Sequence, residues 1–140
     1  MDMKYQSKFP FSNSDIIEFL NSHYKTSPKS NTFQTSINVL LKIKGRASIN
    51  LPVKITITEL NNQSRICLKV NILNTYLLFT LFSVLLITLT FFMTNFESVF
   101  YIGASIHILI LLYLSSKVNS QLIRLDNNIH NKYKNFVSNK

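Results

Sequence analysis

Apolar and polar positions in this chain change their period twice. Between Ile37 and Ile72 apolar residues recur at every second position, from there they run almost without interruption to Ser116, and beyond it they return at every third or fourth. The first period is that of a strand with one buried face. Ile37, Val39, Leu41 and Ile43 alternate with Asn38, Leu40, Lys42 and Lys44, and Gly45 with Arg46 supplies a turn. Ile49, Leu51, Val53, Ile55 and Ile57 alternate with Asn50, Pro52, Lys54, Thr56 and Thr58, up to a second turn at Asn61 and Asn62. Ile66, Leu68, Val70 and Ile72 then alternate with Cys67, Lys69 and Asn71. The connections are too short for parallel crossovers, so the pattern predicts an antiparallel three-strand meander with one aliphatic and one Lys-bearing face.

The segment before it predicts the cover for that aliphatic face. KYQSKFPF alternates weakly, as an edge strand ended by Pro10 would. In SNSDIIEFLNSHY, Ser12, Asn13 or Ser14 can cap a helix, Asp15 and Glu18 suit its first turn, and Ile16, Ile17, Phe19 and Leu20 give it an apolar side. Residues 1–74 therefore read as a small α+β domain, one helix on an antiparallel sheet.

The long apolar stretches fix where the chain resides. No charged side chain occurs from Val70 to Phe96 or from Ser98 to Ser116, with only Glu97 between. Each stretch supplies the roughly 20 apolar residues that cross about 30 Å of hydrocarbon. Residues 75–116 are expected to form a transmembrane hairpin, with helices at about 76–94 and 98–116 and a turn near 95–97. Leu73, Asn74 and Thr75 are the only joint to the last strand, which should hold the domain against the membrane surface.

Residues 117–140 form a basic amphipathic segment with Val118, Leu122, Leu125, Ile129 and Phe136 on one side. Its stripe extends back through Leu111 and Ala104, so it can continue the second membrane helix as one rod. Packing on the protein's own sheet or at the membrane interface is the more economical expectation than a partner-binding coiled coil.

Charge adds an orientation. The chain carries 15 Lys and Arg against 6 acids, a net charge of +9. Ten of these cations and four acids precede Thr75, and five cations and one acid follow Ser116. Retention of Lys and Arg on the cytoplasmic side predicts both termini there, in a bacterial inner or an organellar membrane. That rule accounts for the charge without a nucleic acid partner; the partners it implies are the bilayer, other membrane subunits or a second copy. MDMKYQSKFPFSNSD has neither the apolar core nor the cleavage site of a secretory signal. The single cysteine, Cys67, excludes an intramolecular disulfide framework and reads as a small strand residue.

Candidate chemistry is sparse. His107 sits midway along the second apolar stretch, where an ionisable group is a functional candidate by default. An antiparallel hairpin puts it level with Leu85, with Ser83 and Thr88 about one turn away, so it is expected either to serve an ion or proton path or to bond a hydroxyl of the facing helix. Gly103, followed by Ala104 and Ser105, allows another helix to come close. The soluble domain offers Lys42, Lys44, Lys54 and Lys69 as a surface for anionic lipid or an acidic partner. His23 and His130 have no metal-ligand spacing around them, the acids make no catalytic pair, and no phosphate loop, nucleophile elbow or HExxH occurs. The expectation is a small integral membrane protein with no catalytic residues and no cofactor. It would act as an accessory subunit or membrane-anchored interaction module; the alternatives are a pore-forming effector and a membrane-held lipid or small-ligand binder.

Overall fold

The period-two runs become strands and share one buried face. The computed structural model describes residues 2–9, 13–26, 32–42, 46–60, 63–94 and 97–138. Its elements are β1 (Asp2–Phe9), α1 (Asn13–His23), β2 (Lys25–Thr26), β3 (Thr32–Lys42), β4 (Arg46–Leu60), β5 (Gln63–Asn71), α2 (Leu73–Thr94) and α3 (Glu97–Ser138). The sheet is antiparallel with the order β1-β5-β4-β3-β2, four full-length strands and the two-residue β2 at one edge. Ile37 and Val39 of β3, Leu51, Val53 and Ile55 of β4, and Ile66, Leu68 and Val70 of β5 are all buried on one side.

The expected three-strand meander is present as β3, β4 and β5, and the sheet extends beyond it at both edges, by β1, the edge strand suggested by KYQSKFPF, and by the short β2. Asp2–Phe9 pairs along its whole length with β5, from Asp2 opposite Asn71 to Phe9 opposite Ser64. Its inward positions are Met3, Tyr5, Ser7 and Phe9, of which only Phe9 is fully buried, and this mixed face is why its alternation is weak in sequence. The first turn also shifts, because Arg46 already belongs to β4. Gly45, Asn61 and Asn62 lie outside the described residues.

Two helices cover the aliphatic face. From α1 come Ile16, Phe19 and Leu20, and from α3 come Leu114, Val118, Leu122, Ile129 and Tyr133, all buried in one cluster with the strands. At roughly 1.5–3 kcal/mol per buried large side chain, α3 supplies more of the cover than α1. It touches both β1 and β3, so it spans the two strands between them. Where α1, β1 and α3 meet, Tyr133 stands edge-on to Phe9 and Phe19, with ring centroids 5.8 and 5.4 Å apart.

Neither link between the sheet and the long helices contains a loop. β5 passes into α2 through Ile72 alone, which is fully buried. Asn71 Oδ1 accepts the Leu73 N–H at 2.9 Å, satisfying one of the donors a helix start leaves open. The 42-residue α3 then runs through Ser116 without a break. The sheet and the second half of α3 consequently lie at one end of the α2–α3 hairpin.

One acid is enclosed in this core. Asp126 is buried; Ser7 Oγ donates to its Oδ1 at 2.5 Å, and His130 Nδ1 lies 3.6 Å from its Oδ2. A buried carboxylate needs such partners to offset its lost hydration. We therefore predict that Asp126→Ala destabilises the chain by about 1–3 kcal/mol by stranding Ser7. Asp126→Asn, which keeps an acceptor for Ser7, should cost less. Chemical denaturation of the detergent-solubilised chain measures both, and equal losses would refute the assignment.

Candidate functional site

Two places bring together the residues that the sequence singles out, one between the long helices and one on the uncovered sheet face. Between the helices, His107 uses both ring nitrogens: Nδ1 lies 3.0 Å from Ser83 Oγ and Nε2 lies 3.4 Å from Thr80 Oγ1. A neutral imidazole has one donor and one acceptor, and hydroxyls can match either. Ser83 is where the sequence places it. Thr88 is not: its hydroxyl donates to Val84 O of its own helix at 2.8 Å, and Thr80 takes the second position on the ring. The replacement follows from rotation, since Thr80 and Ser83 are three residues apart on one face of α2 while Thr88 lies five beyond Ser83.

One turn of α3 away, Gly103 lets the helices touch. A Cβ at this position would meet Ile87 Cγ1 at 2.6 Å, so any side chain larger than hydrogen requires Ile87 or its helix to shift. Nearer the sheet, the Tyr76 hydroxyl bonds Ser115 Oγ and lies 3.4 Å from Leu111 O. A shallow groove of about 340 Å³ runs between the helices, lined by Ser83, Thr90, Gly103 and His107 among apolar residues. Outward, both helices are apolar and bare: Leu81, Tyr101 and Phe92 keep 71, 72 and 75% of their surface. So much contiguous apolar area marks an interaction surface, and both helices are long and apolar enough to cross a membrane.

Among the described residues no helix covers the sheet's other face. Cross-strand register sets Lys4 opposite Lys69 and Lys69 opposite Lys54, a row of three lysines on adjacent strands. Lys8 stands opposite Arg65 in a second row. Of the lysines picked out in sequence, Lys54 and Lys69 come together here. Lys42 is elsewhere, paired in register with Arg46 at the end of the β3–β4 ladder, and Lys44 lies outside the described residues. Sequence reasoning misses Lys4 and Lys8; their spacing of four, the two ends of KYQSK on one face of a strand, is the signal that points to them.

Electrostatics on this face are unbalanced. Lys69 Nζ pairs with Asp2 Oδ2 at 2.7 Å, and its hydrogen bond holds the Asp2 carboxyl below the ordinary value of 3.8. The Nε of Arg65 is buried and meets no acceptor among the described residues. Cys67, half-buried on the same face, receives a long contact of 4.0 Å from Gln6 Nε2.

The histidines outside the hairpin have local partners. His23 Nδ1 lies 2.7 Å from Ser22 Oγ, and its ring packs on Phe19. His130 is not isolated as its sequence context suggests, because Asp126 sits one helical turn before it. No group of three or more His, Cys, Asp or Glu among the described residues could hold a metal ion.

No family model, curated protein or solved structure matches this chain.

Two outcomes follow from these contacts. His107→Leu should weaken the hairpin by about 0.6 kcal/mol and at most about 1.7, the range for such bonds in membranes. Gly103→Leu should weaken it more, because it displaces Ile87; steric-trap unfolding in a bilayer mimic ranks the two. For Asp2, a lowered value means that its pairing contributes fully above pH 3.8 and is lost as pH falls through the lowered value. An NMR titration should place its midpoint below 3.8, and Lys69→Gln should return it upward.

Proposed function

We propose that this chain is a two-pass membrane protein that performs no chemistry itself and serves as an accessory subunit or interaction module, presenting its sheet domain as a rigid platform to another membrane subunit or a second copy. The observation that carries this reading is the pair of loop-free links between the bare apolar hairpin and the sheet. A domain joined by one residue on one side and by continuous helix on the other cannot reorient freely. Such rigidity serves a surface that must meet a partner at a set height and angle. The positive-inside rule supports a cytoplasmic domain, with the hairpin turn near Glu97 outside.

The rival readings gain less. For a pore, the hydroxyls of α2 would need to be free to line water, yet those of Thr88 and Thr90 donate to Val84 O and Leu86 O, each at 2.8 Å. Both nitrogens of His107 face hydroxyls of its own hairpin. For a ligand-binding domain, the space between α1 and the sheet would have to be open; Ile16, Phe19, Leu20 and Phe33 occupy it with at most 1% of their surfaces exposed.

Purification in mild detergent with mass spectrometry of the intact particle tests this reading. A stoichiometric membrane partner or a defined homo-oligomer is expected, and a monomer without a partner would overturn it. Topology is read separately in a Cys67→Ser background. An impermeant maleimide should label Ser48→Cys only from the cytoplasmic side and Ser98→Cys only from the opposite side.

A further inference from the structure

We propose that the hollow around Lys54 and Lys69, together with neighbouring Lys4, binds the phosphate of an anionic phospholipid headgroup from the bilayer that holds the protein. The inference rests on the membrane reading above and adds a ligand and its site.

Register gives the first argument. Lys4, Lys69 and Lys54 are direct cross-strand neighbours on β1, β5 and β4. Strands lie about 4.8 Å apart, and like charges placed opposite one another at that spacing oppose sheet pairing. Asp2 pairs directly with Lys69 and is also attracted by the charge of Lys4, which leaves Lys54 the least compensated of the three; among the described residues neither Lys4 nor Lys54 forms an ion pair within 4.0 Å. An anion with several oxygens, shared between the ammonium groups, relieves the repulsion.

Shape gives the second. Lys54 and Lys69 open into a hollow of about 370 Å³ that also includes Gln34, Pro52, Asn71 and Asp2. The amides of Gln34 and Asn71 add donors suited to phosphate or glycerol oxygens. A flat lysine-bearing sheet would only attract anions, whereas a hollow lined by several converging donors can select a headgroup.

Position gives the third and chooses between lipid and an acidic protein. Asn71 is both part of this hollow and the residue whose side chain caps the first apolar helix at Leu73. Lys69 lies two residues earlier on the same strand, about 7 Å along it. The hollow is therefore at the height where hydrocarbon gives way to headgroups, and lysines at that level are attracted to anionic lipid. Asp2, at its rim, competes with the phosphate for Lys69.

The test uses the full chain in mild-detergent micelles, titrated with short-chain phosphatidylglycerol, with phosphatidylcholine of the same chains, and with inorganic phosphate. Native mass spectrometry counts retained lipid, and circular-dichroism melting reports fold. Phosphatidylglycerol should be retained in preference to phosphatidylcholine. Lys54→Gln and Lys69→Gln should each weaken it about fivefold and together about thirtyfold. Lys132→Gln with Lys134→Gln, on the far part of α3, should leave retention unchanged. Asp2→Asn should strengthen retention by freeing Lys69, a gain that misfolding cannot produce, so it decides the matter if the lysine variants do not fold. Equal retention of the two lipids, equal loss from the α3 variants, weaker binding by Asp2→Asn, or saturation by inorganic phosphate with no lipid preference would each overturn the proposal. The two readings fail separately. Release of the wild-type chain from membranes by alkaline carbonate removes the membrane reading, while a carbonate-resistant chain without lipid preference removes only the site.

Discussion

Burial of one side of α3 against the sheet is the interaction on which the rest of this molecule depends. Leu114, Val118, Leu122, Ile129 and Tyr133 form a single stripe, and all of them are removed from solvent by the strands and α1. The same helix, one turn before Leu114, is bare apolar surface. One continuous element thus satisfies two solvents. Its first half suits hydrocarbon, where every backbone group must bond within the segment, and its second half suits a water-facing domain, where a single stripe is covered and the remainder is polar.

That arrangement explains the small size of the domain. A core built only from the first strands and α1 would be near the limit for independent folding. By borrowing cover from a helix anchored in the hairpin, the sheet gains buried area without extra chain. The cost is that one face stays uncovered, and on it cross-strand register brings Lys4, Lys69 and Lys54 together. The enclosed Asp126 joins α3 to β1 through the Ser7 hydroxyl, while its own backbone carbonyl meets His130 Nδ1 at 3.1 Å, a polar contact whose geometry is far more specific than apolar packing.

Much of this arrangement is legible in the amino-acid sequence, and what is not has physical reasons. Period two in β3, β4 and β5 is readable because their inner positions are uniformly aliphatic. β1 is harder to read, because Met3, Tyr5 and Ser7 are only partly covered and the demands on those positions are mixed. The apolar hairpin announces itself by the absence of charge. Which hydroxyl meets His107 does not, since depth alone places Thr88 close, and the rotation of one helix against the other brings Thr80 in its place. The place of Lys4 in the lysine row lies beyond sequence for a similar reason: it depends on the register of β1 against the distant β5, whereas Lys54 and Lys69 are brought together by the neighbouring strands β4 and β5.

The unbroken α3 also makes the molecule a lever. From Ser116 to Ser138 the helix projects about 33 Å at 1.5 Å per residue, and membrane helices change their tilt when the local hydrocarbon thickens or thins. With no joint to absorb the motion, a tilt of about 10° carries the far end of the domain sideways by about 6 Å. In a bilayer, a change of thickness that tilted the hairpin would reach the folded domain as a lateral displacement, amplified by the length of one helix.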